Sequence, residues 1–247
     1  TTCSSRSNGI EPDGWPPSPY PYCSRWSLAP SQRTPGPRIN VARSPGLREV
    51  GADIVTVEGA SSAADAFAQG AQRARHPWRV FVHQDVYFPA GAGLLLAEQL
   101  GEMTANGRAA APVGFAGLEA GMDLRTGLRY AGQVIDRTQH FDHAPSVSGV
   151  SIDEFAVVLH TSTPVALDPT LGWHLWGTDL CLQALAIGGA PCAQIVRVPL
   201  FHNSTTGYTL PPEYHASAEQ LLGKYPLFDE IPTLCGALQR LPQRAAA

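Results

Sequence analysis

Lysine is nearly missing from this chain: among its 247 residues Lys224 is the one example, and the rest of its 17 basic residues are arginine. With 21 acidic residues the formal net charge is −4. Sequence-independent binding of nucleic acid needs clusters of lysine and arginine that neutralise phosphates, and this balance argues against it. Arginines can still gather around one small anion through their planar forks.

Long apolar runs are missing too. No stretch reaches the ~18 residues that a membrane helix needs, and no basic segment feeds an apolar one at the N-terminus. A cytoplasmic protein with no membrane span is the expectation. The five cysteines, Cys3, Cys23, Cys181, Cys192 and Cys235, stand too far apart to form a close zinc pair, so reduced, buried thiols are expected ahead of the alternative of one or two disulfides. A G-x-S-x-G nucleophile elbow is also absent, which weighs against an esterase. "GFAG", Gly114 to Gly117, is far from a dinucleotide fingerprint, and no lysine follows it to make a phosphate loop.

What is present is a hydrophobic content of 44%, enough for one sizeable core. No linker composition divides the chain, so residues 1–247 are read as a single domain. Residues 8–40 form an irregular proline-rich arm, and 226–247 a C-terminal tail. From "GADIVTVEG" onward, apolar alternation predicts a strand that ends at Gly59. A helix capped by Ser61 or Ser62 follows, with Ala64, Phe67, Ala68 and Ala71 on its apolar face. Further on, the pattern predicts a strand at 79–83, a helix at 93–105, and a strand in "AAPVGFAG". A loop or hairpin, the strand-like "VSIDEFAVVLHTS", a helix near 178–187 and a strand in "AQIVRVP" complete it. Alternating strands and helices predict an open α/β sheet covered on both faces, with ligands beyond the carboxyl ends of its strands.

Three polar groups stand where apolar runs stop. His83 and Asp85, two apart in "VFVHQDVYFP", project to one side of a strand end and are plausible ligands for a divalent ion. Asp179, in the first turn of the helix in "GWHLWGTDLCLQA", sits where the helix dipole favours a carboxylate. It serves either as a cap or as a base. The indoles of Trp173 and Trp176 flank it with His174, and they suit either core packing or stacking on a sugar ring. His202 leaves a strand as a third ligand candidate, and Asp153 and Glu154 interrupt an apolar run, able to orient an acceptor or to pair with Arg129 or Arg137. His140, Asp142 and His143 in "QHFDHAP" make one more histidine-rich patch.

Together, "FVHQDVYFP", "GWHLWGTDLCLQA" and "VPLFH" resemble bacterial glycosyltransferases of the large family-2-like group, whose nucleotide-diphospho-sugar transferase fold is called GT-A. Within it the chain is most similar to the small subgroup found in streptomycin-type antibiotic clusters, which implies antibiotic biosynthesis. The likeness covers about residues 50 to 225, with "TTCSS" as a fainter first strand. It implies a single-domain α/β fold with a mostly parallel mixed central sheet flanked by helices. His83, Gln84 and Asp85 match the group's D-x-D-like motif, in which Asp85 would bind the Mn²⁺ or Mg²⁺ that bridges the donor's phosphates. His83 stands where the first carboxylate is expected.

By the same likeness His202 completes the metal shell and Asp179 is the general base of an inverting transfer. Ser61, Ser62 and Asp65 lie at the donor nucleotide. The implied partners are a nucleoside-diphosphate sugar and a small-molecule or glycan acceptor, the latter near Trp173, His174, Trp176, Asp153 and Glu154. The N-terminal region departs from the group. Glu11 or Asp13 would have to replace the usual nucleotide-loop aspartate, and the arm either covers the acceptor or joins a homodimer. Two other classes fit the same residues: a non-catalytic nucleotide-sugar binding protein of this fold, and a metal-dependent hydrolase using His83, Asp85, His140 and His143.

Overall fold

The computed structural model of the chain describes residues 38–119, 129–136, 139–188, 193–204 and 209–240. "TTCSS", Glu11, Asp13, Arg137 and most of the 8–40 arm lie outside these. The last residues of that arm begin α1 (Arg38–Arg43), which α2 (Pro45–Glu49) follows directly. Proline suits the start of α2, where its missing N–H would have had no partner within the helix. "GADIVTVEG" forms no strand and runs as irregular chain. Its alternation has the strand period, but Ile54 is 47% exposed and no sheet edge receives the segment.

α3 (Ala63–Arg73) starts at a reciprocal cap. The Asp65 N–H donates to the Ser62 hydroxyl at 3.1 Å, while Asp65 Oδ2 accepts from the Ser61 N–H at 2.8 Å and from its hydroxyl at 3.1 Å. Gln69, first among the causes, and Ser61 hold the Asp65 carboxyl below its usual range. Ser61, Ser62 and Asp65, expected at a donor nucleotide, are thus engaged with one another.

The remaining elements are β1 (Trp78–Val82), β2 (Val86–Tyr87), α4 (Ala92–Ala105), β3 (Val113–Gly114), β4 (Ala116–Glu119), β5 (Arg129–Asp136), β6 (Gln139–His143), β7 (Ser146–Ile152) and β8 (Ala156–His160). Then come α5 (Trp176–Gly188), β9 (Ala193–Ile195), β10 (Leu200–His202), α6 (Pro212–Lys224), β11 (Glu230–Thr233) and β12 (Gly236–Gln239).

The described residues form a mixed α/β fold with two sheets. The large one has the order β1-β8-β3-β9-β7-β4-β5-β10-β2, with β6 on β5, and β11 and β12 form the small one. This corrects the expected GT-A sheet. Among the described residues only β3–β9 and β5–β10 run parallel. The other pairings, including β1–β8, β7–β9, β4–β7 and β4–β5, are antiparallel. The reason lies in the connections. A parallel pair needs a long crossover, whereas no helix lies among the described residues between β4 and β8, and β4–β5, β5–β6 and β4–β7 within that run pair antiparallel.

Strand periodicity sorts the core onto the two faces of the large sheet. In β8, Val157 and Leu159 join Trp176, Leu180, Tyr214 and Leu221 of α5 and α6. Ala156 and Val158, between them, join Leu47 of α2 and Leu96, Leu100 and Met103 of α4. The segment expected as a C-terminal tail contains the β11–β12 hairpin, whose Ile231 is buried in the first of these clusters.

Candidate metal centre

β1 delivers His83 to its own end, and a tight turn returns the chain into β2 with the Val86 N–H donating to the His83 carbonyl at 3.2 Å. That turn is tied down on both sides. The His83 N–H donates to the Phe155 carbonyl at 2.8 Å, and the Asn203 N–H to the Asp85 carbonyl at 3.1 Å. Antiparallel pairing of β2 with β10 places His202 opposite Val86, one residue from Asp85. One ligand atom from each of His83, Asp85 and His202 falls within 4.8 Å of the others, and all three residues are half-buried.

His202 is held from several directions. Its Nε2 lies 3.7 Å from Asp85 Oδ1 and its Nδ1 lies 3.4 Å from Asp136 Oδ1. The ring stacks on Phe155 with centroids 4.9 Å apart, and the His83 ring is 5.9 Å away. A carboxylate behind one imidazole nitrogen fixes the ring and leaves the other nitrogen for a metal. Sequence reasoning missed Asp136. It ends β5 as His83 follows β1, and its register partner on the parallel strand β10 is His202. Burial, followed by the neighbouring His202, lowers the His83 pKa and so favours the neutral imidazole that binds metal.

The donor set fits a divalent cation. Two ligand atoms bound to one ion at ~2.1 Å lie up to ~4.2 Å apart, which this cluster reaches by small side-chain rotations.

The other expected site residues divide. "VSIDEFAVVLHTS" is two strands, β7 and β8, with Asp153, Glu154 and Phe155 as the turn between them. Asp153 Oδ1 accepts from the Phe155 N–H at 3.2 Å, and the Asp153 N–H donates to the Ala116 carbonyl at 2.9 Å. Arg129 pairs instead with Glu119. Glu154 Oε1 accepts from the Gly177 N–H at 3.2 Å, at the start of α5. Desolvation, then the charge of Asp153, pushes the Glu154 carboxyl up to about 8.

Asp153 and His174 both act electrostatically on His83, which places this turn and the loop before α5 around the metal cluster. Gln84 and Trp173 are exposed, the latter at 44%, and His174 is half-buried with its pKa lowered by burial. The loop bends sharply, with Leu175 at φ 64°. Trp176 faces the opposite way: it is 1% exposed and meets Phe81 edge-on at 5.0 Å, so it is core rather than acceptor surface.

Asp179 has no exposed surface. Its oxygens accept from Gln183 Nε2 at 2.6 Å, Lys224 Nζ at 2.9 Å and the Tyr225 hydroxyl at 2.7 Å. Lys224 also donates to Asp168 at 2.7 Å, a bond that outweighs the burial of Asp168 and holds its carboxyl near 2. Burial, then the bond to Asp179, raises the Tyr225 pKa. This is the chemistry of a structural anchor between α5 and α6.

In the histidine-rich patch on β6, Asp142 is ion-paired with Arg197 at 2.6 Å. Among the described residues neither His140 nor His143 joins a group of three ligand atoms. Cys181 is a buried free thiol, and Cys235, also free, is exposed on the β11–β12 turn. Cys3, Cys23 and Cys192 lie outside the described residues.

No protein-family model matches the chain, and a comparison with curated proteins gives no match. Among the described residues no helix is long and apolar enough to cross a membrane.

Proposed function

We propose that this chain is a metal-dependent enzyme whose substrate presents a phosphate or diphosphate to a cation held by His83, Asp85 and His202. The convergence of their ligand atoms within 4.8 Å carries this reading. Two imidazoles and one carboxylate suit Mn²⁺ better than Mg²⁺, which prefers oxygen ligands and keeps its waters.

Within that class, the reaction is transfer of a sugar from a nucleoside diphosphate to a hydroxyl acceptor. Its support is the resemblance carried by "FVHQDVYFP" and "VPLFH", together with an exposed indole at Trp173 that suits a sugar ring. When bound, the cation would neutralise the charge that develops on a departing diphosphate. The chain's own residues prepare the place. Asp136 orients His202, Phe155 covers one face of its ring, and the backbone bonds at His83 and Asp85 fix the turn. A second reading, metal-dependent hydrolysis, is favoured by one observation: Asp179, expected to activate an acceptor hydroxyl, is buried and fully engaged. Water would then be the acceptor at the same centre.

Calorimetry with Mn²⁺ and Mg²⁺, alone and with UDP, GDP, TDP or CDP, tests the centre. Mn²⁺ affinity is expected to fall at least ~10-fold in His202→Ala and Asp85→Asn, and by ~10-fold in Asp136→Asn through the lost orientation. Unchanged Mn²⁺ binding by His202→Ala would sink the reading. A gain in metal affinity with one diphosphate supports transfer or hydrolysis of its sugar ester, and strong binding with no such gain supports neither.

A further inference from the structure

We infer that Glu154 is the carboxyl that exchanges the proton with the attacking hydroxyl, the role that Asp179 was expected to fill. The inference rests on the metal-dependent reading above and adds to it a proton acceptor.

Glu154 sits at the tip of the β7–β8 turn, and the residue after it is bolted to both histidines of the cluster. The Phe155 carbonyl accepts from the His83 N–H at 2.8 Å, and the Phe155 ring stacks on His202 at 4.9 Å. The turn that carries Glu154 therefore moves with the metal ligands. On its other side, Glu154 is seated on the start of α5. The close fit requires Gly177, where a Cβ would meet the Ile152 carbonyl oxygen at 2.5 Å and Glu154 Cγ at 3.3 Å. The backbone N–H groups of Gly177, at 3.2 Å, and of Leu175 thus fix the carboxyl, whose two oxygens keep further acceptor capacity.

Its electrostatic surroundings differ from those of Asp179. Asp179 has the Lys224 ammonium at 2.9 Å. Around Glu154 are Asp153 from its own turn, Tyr214 from α6 and the Cys235 thiol from the β11–β12 turn. Asp153 in turn acts on His83, beyond β1. Burial and the Asp153 charge raise the Glu154 pKa to about 8, close to where a general base or acid works best near neutrality. Burial pushes the Tyr214 hydroxyl up to about 12, so it does not compete for the proton in that range.

The step balances as follows. The acceptor oxygen, of an alcohol or of water, forms its bond to the anomeric carbon while the bond from that carbon to the diphosphate oxygen breaks. The breaking bond's electron pair leaves with the diphosphate, and the acceptor's proton passes to ionised Glu154.

The test compares Glu154→Gln, which keeps the shape and the bond from Gly177, with Asp179→Asn. Three readouts are taken on the full chain: Mn²⁺ affinity by calorimetry, urea unfolding between pH 5 and 9, and diphosphate released with Mn²⁺ from a panel of UDP, GDP, TDP and CDP sugars. The expected result for Glu154→Gln is Mn²⁺ affinity within threefold of wild type, release slowed ~100-fold or more at saturating donor, and loss of the wild-type decline in stability as pH rises through 8. Asp179→Asn should release diphosphate at near the wild-type rate per folded molecule. Wild-type release by Glu154→Gln, or an unchanged pH profile of its stability, would overturn the assignment. Failure of the wild type to bind Mn²⁺ would instead remove the metal centre, and the pH profile would still decide whether Glu154 holds a proton near neutrality.

Discussion

Asp179 shows what a buried carboxylate costs and what it needs. Three side-chain donors surround it, one of them the only lysine in the chain. Removing the carboxylate strands an ammonium between α5 and α6 with Asp168 as its remaining partner, whereas an amide keeps part of the network. Asp179→Ala is therefore expected to lower the unfolding free energy by about 3 kcal/mol, and Asp179→Asn by roughly half that, as read from urea denaturation. A base that faced solvent would give the reverse pattern: little change in stability and a large loss of rate. The first-turn position of Asp179 was legible in the sequence, but it looks the same for a base as for an anchor. What separates the two is Lys224, 45 residues farther on, and no local pattern announces that pairing. His83, Asp85 and His202 were legible because each interrupts an apolar run at a strand end, where a polar side chain needs a reason. Asp136 ends such a run as well, and only the β5–β10 register shows that it backs His202.

The elements that carry the centre are fixed by close backbone packing between α2 and α4. Gly46 and Gly93 meet there. A Cβ on Gly93 would lie 1.9 Å from the Gly46 carbonyl oxygen, and one on Gly46 would lie 2.4 Å from the Pro89 carbonyl oxygen. Around this contact the Ser44 hydroxyl accepts from the Phe88 N–H at 2.9 Å, and the Glu49 carboxylate accepts from the Gly91 N–H at 2.7 Å, at the start of α4. Phe88 directly follows β2, so the helix pair also sets the strand that positions Asp85. Gly93→Ala should cost about 1–3 kcal/mol by forcing the helices apart, and should weaken Mn²⁺ binding as β2 shifts. Gly101 lies in the same helix with open space around it, and Gly101→Ala should stabilise by about 0.5–1 kcal/mol with Mn²⁺ binding unchanged. Thermal unfolding and calorimetry on the two variants check both halves. At this scale α4 was legible to within a residue, since its length and apolar content leave one reading. "VSIDEFAVVLHTS" was read as one strand because Asp153 and Glu154 are a brief interruption, and the Asx-type bond from Phe155 that makes them a turn has no signature in hydropathy. Glu154 was named as an acceptor contact, but its place at the tip of a turn emerged only with that break.

For the whole molecule, strand direction was the least legible property. Hydropathy marks where strands are and is silent on which neighbours they take. Among the described residues no helix lies between β4 and β8, and the pairings within that run, β4–β5, β5–β6 and β4–β7, are antiparallel where a parallel sheet was expected. The resulting fold gathers opposed titrations whose sum is measurable. Asp168, held near 2 chiefly by its bond to Lys224 against an ordinary 3.8, contributes stability that is present above pH 3.8 and is lost as pH falls through 2. Glu154, raised by burial from 4.5 to about 8, acts in the other direction. Between those values the unfolded chain has released the proton that the folded chain still holds, so stability declines as pH rises from 4.5 to 8 and levels off above. These two groups together place the maximum of their contribution near pH 4–5, on the acid side of neutrality. The Asp168 side chain is half-buried and its Lys224 partner a third exposed, so its acid arm should be shallow and the Glu154 arm the larger of the two. Urea unfolding from pH 3 to 9, taken as the difference between wild type and variant, should trace these two arms, the alkaline one with Glu154→Gln and the acid one with Asp168→Asn. Because the two residues act at separate places, the double variant should lose both arms additively. The difference between wild type and Glu154→Gln separates this arm from His83 and His174, whose lowered pKa values make their own contributions rise toward pH 6.5. A difference that stays constant from pH 5 to 8 would show that Glu154 ionises in the folded chain as readily as in the unfolded one, and would take away the carboxyl that the site needs to carry a proton.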